Sequence, residues 1–140
     1  MGQARDVMDR LTAEMLDAHN VESAASLYAD NAAVMTPDAG EIRGRTQIAN
    51  YWKQFVDGFP DSKYEPISKI EAGNKAVDEG YFIGTHTGAI KTPSGETLPP
   101  TGKRVKLRSC DIATVENGKI TEHHLYFDEM EFNRQLGLAE

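Results

Sequence analysis

Five polar side chains near the C-terminal end of the chain could form an acid–base set if the backbone aligns them: Ser109, Asp111, His124, Tyr126 and Asp128. The turn between them predicts that alignment. Asn117-Gly118 is the strongest short signal for a two-residue type I′ hairpin. Setting Glu116 against Lys119 gives the pairs Val115–Ile120, Ala113–Glu122, Asp111–His124, Ser109–Tyr126 and Leu107–Asp128. Alternate pairs of this kind share one sheet face. An imidazole opposite a carboxylate, with a second carboxylate four residues along, can move a proton. Asp111 would orient His124 and favour its charged form. Asp128, partly desolvated beside aromatic rings, would have its pKa raised toward the acid–base range. The opposite face would then carry Ile112 with His123, Cys110 with Leu125 and Arg108 with Phe127. On a solvated face the same Asp–His pair would contribute only about 0.2–1 kcal/mol, and a slip of one residue would turn every one of these side chains over.

The rest of the chain must hold this hairpin. Val7, Met8, Leu11, Met15 and Leu16 recur at helical spacing between Asp6 and about His19, where Asn20 breaks the pattern. A short helix is expected over about 22–28, a short strand at Ala33-Val34-Met35 and a loop over 37–44. Thr46 is a plausible N-cap for a third helix reaching about Asp57, with Ile48, Tyr51, Trp52, Phe55 and Val56 as its apolar stripe and Gly58-Phe59-Pro60 as its stop. The period then changes to two, predicting strands over 63–71, 76–90, 104–115 and 119–127, with a long loop over 92–102 and a final helix over 129–136. Helices first and antiparallel strands afterwards make an α+β domain. Gly80, Gly84 and Gly88 inside the longest strand suggest bends, hence a curved sheet enclosing a cavity.

At 140 residues the chain fits a single domain, 1–140, with 39% hydrophobic and 26% charged residues. A net charge of −7 with scattered Lys and Arg argues against a nucleic-acid partner; Lys103, Arg104, Lys106 and Arg108 make only a small basic patch. No apolar run reaches the length of a membrane span, the N-terminus carries no signal-peptide pattern, and Asp6 stands where a myristoylation motif at Gly2 needs Ser or Thr, so a cytoplasmic protein is expected. The lone Cys110 permits no intrachain disulfide. No metal site is expected, since His123 and His124 are adjacent on a strand and point to opposite faces. Trp52, Phe55 and Phe59 could pack in the core or wall a ligand.

Phe59-Pro60-Asp61, Gly84-Thr85-His86-Thr87-Gly88, Pro99-Pro100-Thr101-Gly102-Lys103, Gly118-Lys119-Ile120, Tyr126-Phe127-Asp128 and Gln135-Leu136-Gly137 occur in that order. This series resembles the SnoaL-like polyketide cyclases (ester cyclases) of the nuclear transport factor 2-like superfamily. The resemblance implies a cone of strongly curved sheet around three N-terminal helices, a deep pocket, a homodimer, and ring closure by intramolecular aldol condensation without metal or organic cofactor. It implies that Asp128, near the end of the last strand, is the acid–base group. The Thr-His-Thr-Gly motif carries His86 into the site without fixing its role. One departure is His124-Leu125, where a bulkier Trp-containing run is expected.

The expected function is therefore a cofactor-independent acid–base enzyme acting on a hydrophobic carbonyl compound, a cyclase or a related isomerase. Asp128, His124 and Asp111 would be catalytic; Tyr126, His86, Trp52, Phe55, Phe59 and Ser109 would bind substrate. Two alternatives stand beside it: a non-catalytic small-molecule binder, and a dimerisation module using Ile112, Cys110, Leu125 and Phe127 on the outer sheet face.

Overall fold

The computed structural model describes residues 3–91 and 95–138. Thr92, Pro93 and Ser94 of the long expected loop, and Gly2, lie outside the described residues. The first helix, α1 (Gln3–Thr12), buries Ala4, Met8 and Leu11 and runs on into a π-helical segment, Ala13–Asp17. The wider turn brings Met15 and Leu16 round toward the sheet; such segments recur at functional sites. Asn20 ends this run and also begins α2 (Val21–Ala25), its side chain accepting the Ser23 N–H at 3.0 Å. The third helix, α3 (Arg45–Gly58), is preceded by Gly44 at φ 85°, so the cap falls two residues before Thr46.

The strands are β1 (Tyr28–Thr36), β2 (Gly40–Arg43), β3 (Lys63–Ala72), β4 (Lys75–Thr85), β5 (Ile90–Lys91), β6 (Thr97–Leu98), β7 (Arg104–Glu116) and β8 (Lys119–Phe127), followed by α4 (Glu129–Gln135). The region expected as loop over 37–44 contains β2, which pairs with β1. Six strands form one sheet in the order β2-β1-β8-β7-β4-β3; only β1 and β8 run parallel, and β5 pairs with β6 separately. This is the expected α+β arrangement, a mixed curved sheet with helices across its inner face.

Curvature has local causes. Ile67 bulges between Pro66 and Ser68, where β3 passes Gly80 on β4. β4 ends at Thr85, so Gly88 lies beyond the strand. There a Cβ would stand 1.9 Å from the Asp57 carbonyl oxygen, and the Gly88 N–H donates to the Gly58 carbonyl at 3.1 Å. Only glycine lets this segment clip the end of α3.

The last hairpin departs from the simple register. Asn117 and Gly118 have φ 52° and 77°, as a type I′ turn requires, and Glu116–Lys119 and Val115–Ile120 pair as expected. Thr121 is then an extra residue, and the pairs become Thr114–Glu122, Ala113–His123, Ile112–His124, Asp111–Leu125, Cys110–Tyr126 and Ser109–Phe127. The physical reason is hydrophobic. The unbulged register would turn Glu122 inward and Leu125 and Phe127 outward; the bulge buries Leu125, packs Phe127 against the core and leaves Tyr126 55% exposed.

Candidate active site

The bulge puts His123, not His124, beside Asp111. His123 is 2% exposed, and its Nε2 lies 2.8 Å from Asp111 Oδ1. Its Nδ1 lies 2.7 Å from the Tyr28 hydroxyl, which also accepts the Trp52 indole N–H at 3.1 Å. Trp52 can only donate, so the Tyr28 oxygen accepts its N–H and keeps its own hydrogen available to a neighbour. Burial drives the Tyr28 pKa far above its ordinary value, so the phenol stays a neutral donor. The His123 Nε2–H donates to the Asp111 carboxylate, and the Tyr28 hydroxyl holds the Nδ1 side of the ring. The chain Trp52 → Tyr28 → His123 → Asp111 satisfies each buried group in turn. Trp52 and His123 also pack ring against ring, with centroids 5.5 Å apart.

Asp111 is where this chain meets open space. Two cavities of about 80 and 60 Å³ lie under the helices, and Asp111, Trp52, Tyr64, Met15 and Leu16 line both. Phe82, Leu107 and Phe127 wall the larger one, with Ser109 as a further polar group; Asp78 and His123 line the smaller. Asp78 faces Asp111 across β4 and β7 and is held by Arg5 at 2.5 Å. A separate open cleft of about 690 Å³ lies between α3, β2, the β5–β6 hairpin and α4. It is larger, and among the described residues that line it there is no His–carboxylate pair. Phe55 lines both, standing between cleft and cavity.

The structure brings together part of the expected site. Asp111, Ser109, Trp52 and Phe55 line the inner cavity. His124 and Tyr126 are turned to the outer face by the bulge, with His124 near Glu122 at 3.4 Å. Asp128 is exposed and serves as the N-cap of α4, accepting the Glu131 N–H at 3.1 Å, so it does not join the row expected of it. His86 and Phe59 are fully buried and stack on each other at 5.3 Å away from the cavity. His86 Nδ1 accepts the Thr101 N–H at 3.2 Å, which ties down the segment before β7. Of the outer-face interface residues expected, Leu125 and Phe127 are inside, while Ile112 and Cys110 remain half-buried opposite His124 and Tyr126. Sequence reasoning missed His123, Tyr28, Tyr64 and Asp78. The signal for the first was the alternation of His123, Leu125 and Phe127, whose two apolar members belong inside.

No helix among the described residues is long and apolar enough to cross a membrane. No curated protein sequence matches the chain. Among solved structures, a candidate SnoaL-like polyketide cyclase from Jannaschia sp. CCS1 superposes with a TM-score of 0.83 at 16% identity, covering 99% of this chain and 94% of that one. A hypothetical protein with a ketosteroid isomerase-like fold from Catenulispora acidiphila gives 0.76 at 16% identity, with 95% and 93% covered. IdmH from Streptomyces antibioticus, a candidate polyketide cyclase, gives 0.76 at 24% identity, with 97% and 99% covered. These likenesses establish the nuclear transport factor 2-like, ketosteroid isomerase-like fold. The family model for SnoaL-like polyketide cyclases matches residues 6–136, nearly the whole chain, and by that match the protein belongs to the SnoaL-like polyketide cyclase family.

Proposed function

We propose that the protein is an acid–base enzyme that uses Asp111 to take a proton from carbon next to a carbonyl in an apolar substrate. The observation that carries this reading is the Asp111–His123 pair, braced by Tyr28 and Trp52 and opening into an apolar cavity. His123 occupies one carboxylate oxygen with its Nε2–H and leaves the second for substrate. The substrate C–H bond breaks, its electron pair becomes the enolate, and the proton moves to Asp111. In a cyclase the enolate carbon then attacks a second carbonyl of the same molecule, and the proton returns from Asp111 to the new alkoxide. In an isomerase it returns to a different carbon. The apolar walls keep water from quenching the enolate. Met15, Leu16, Phe82 and Leu107 suit a substrate whose reacting end is a single ring or a chain.

The test is exchange of the α-hydrogens of phenylacetone for deuterium, followed by NMR in D2O. Wild-type protein should accelerate exchange over buffer, Asp111→Asn should abolish the acceleration, and Asp128→Asn should keep it. Exchange at the buffer rate with wild type would leave a small-molecule binder of the same fold.

A further inference from the structure

We propose that Tyr64 supplies the hydrogen bond that receives the ligand's oxygen in the inner cavity, so that the site takes a flat apolar ligand ending in a carbonyl, enolate or phenolate oxygen. The inference rests on the acid–base reading of Asp111 for its catalytic meaning, and on separate observations for its geometry.

Tyr64 sits near the start of β3, and the sequence singled out nothing about it. Its hydroxyl oxygen is buried and has no hydrogen-bond partner among the described residues. A buried hydroxyl without a partner is costly and uncommon, and a ligand oxygen in the adjoining cavity would supply one. Tyr64 lines both inner cavities together with Asp111. Its position depends on Gly80: a Cβ there would lie 2.5 Å from both the phenol oxygen and its ring carbon. Gly80 in turn pairs with Ser109 on β7, so the phenol tip is laid over the sheet one step from Asp111 along the same inner row.

The chemistry fits a donor. Burial, reinforced by the charges of Asp111 and Asp78, pushes the Tyr64 phenol well above its ordinary value, so it holds its proton and cannot compete with Asp111 as a base. A neutral donor beside a position where negative charge develops favours the enolate over the parent ketone. Tyr28 cannot fill this role, because its hydroxyl is already committed between Trp52 and His123.

The experiment uses the Asp111→Asn protein, which carries the charge of the site after the base has gained its proton, and 4-nitrophenolate as an enolate-like probe titrated at a pH where it is ionised. Binding is read from the probe's visible absorbance and by calorimetry. Adding Tyr64→Phe should weaken binding by about ten- to a hundredfold, the range for a hydrogen bond to a charged group. The same substitution should leave the urea midpoint of the ligand-free protein unchanged or raised, since it deletes an unpartnered hydroxyl. A change in affinity under about twofold, a clear loss of stability in Tyr64→Phe, or no binding of the probe at millimolar concentration would each overturn the assignment. Failure of the enzyme reading looks different: wild type would not exchange ketone hydrogens while probe binding still depended on Tyr64.

Discussion

Asp78 and Asp111 stand directly opposite each other on β4 and β7, and each carboxylate is drawn to a different partner, Asp78 to Arg5 of α1 and Asp111 to His123 of β8. Two like charges in this position would repel. Arg5, itself only 6% exposed and also bonded to Asp9, makes the pairing tolerable. Replacing Arg5 with Met should strand the buried Asp78 and cost about 3–5 kcal/mol in urea unfolding. Combining it with Asp78→Asn should restore much of that loss; no recovery would mean that Arg5 acts through packing of α1 alone.

The Tyr28 hydroxyl serves two buried neighbours at once. Tyr28→Phe leaves the Trp52 N–H and His123 Nδ1 without a partner, at roughly 1–3 kcal/mol for each orphaned group. Urea unfolding should record that loss. Proton exchange of phenylacetone should slow as well, because the imidazole that orients Asp111 loses its brace; an unchanged rate in Tyr28→Phe would place catalysis elsewhere.

Asp128→Ala separates two roles for one residue. As the cap of α4, Asp128 should cost about 1 kcal/mol when truncated, seen as a small drop in thermal midpoint. As a bystander to the chemistry, it should leave exchange rates near wild type. A rate collapse with an unchanged midpoint would reverse this assignment and return the acid–base role to Asp128.

Burial pushes the His86 imidazole below its ordinary value of 6.5, against a smaller upward pull from a backbone contact at Gly88. The unfolded chain therefore binds a proton more readily than the folded one between that value and the lowered one. The sign follows: the stabilising contribution is complete above 6.5 and is lost as pH falls through the window below it. Thermal midpoints should drop as pH falls below 6.5, and the slope should flatten in His86→Gln, whose amide oxygen can still accept the Thr101 N–H. Equal slopes in the two proteins would remove His86 as a source of acid sensitivity.

Much of the scaffold was legible because periodicity reports burial. The stripe of Ile48, Tyr51, Trp52 and Val56 predicted α3, and alternation predicted β3, β7 and β8 nearly to their ends, while β4 stops at Thr85, five residues before the expected Ile90. The type I′ turn at Asn117-Gly118 was also legible, since both residues need positive φ. The bulge at Thr121 was not. A bulge is a competition between turn-set register and burial, and the turn alone carries no information on the outcome; weighing Leu125 and Phe127 against Glu122 would have decided it. Arg5, Asp78 and Tyr64 stayed hidden for another reason. Their significance arises only when α1, β3, β4 and β7 come together: Arg5 finds its partners more than 60 positions away, and Tyr64 meets Gly80 and the Asp111 cavity only across the folded sheet.

The parallel pairing of β1 with β8 also sets an order of events during synthesis. Tyr28 and Val34 lie beside Ile120 and His123, so the first strand has no inner neighbour until the last strand has left the ribosome. Contacts this distant along the chain form slowly. A nascent chain that stops before Lys119 would hold Trp52 and Tyr28 but lack the His123 that links them to Asp111. The Tyr28–His123–Asp111 cluster therefore depends on the last strand, and a chain cut short lacks it altogether.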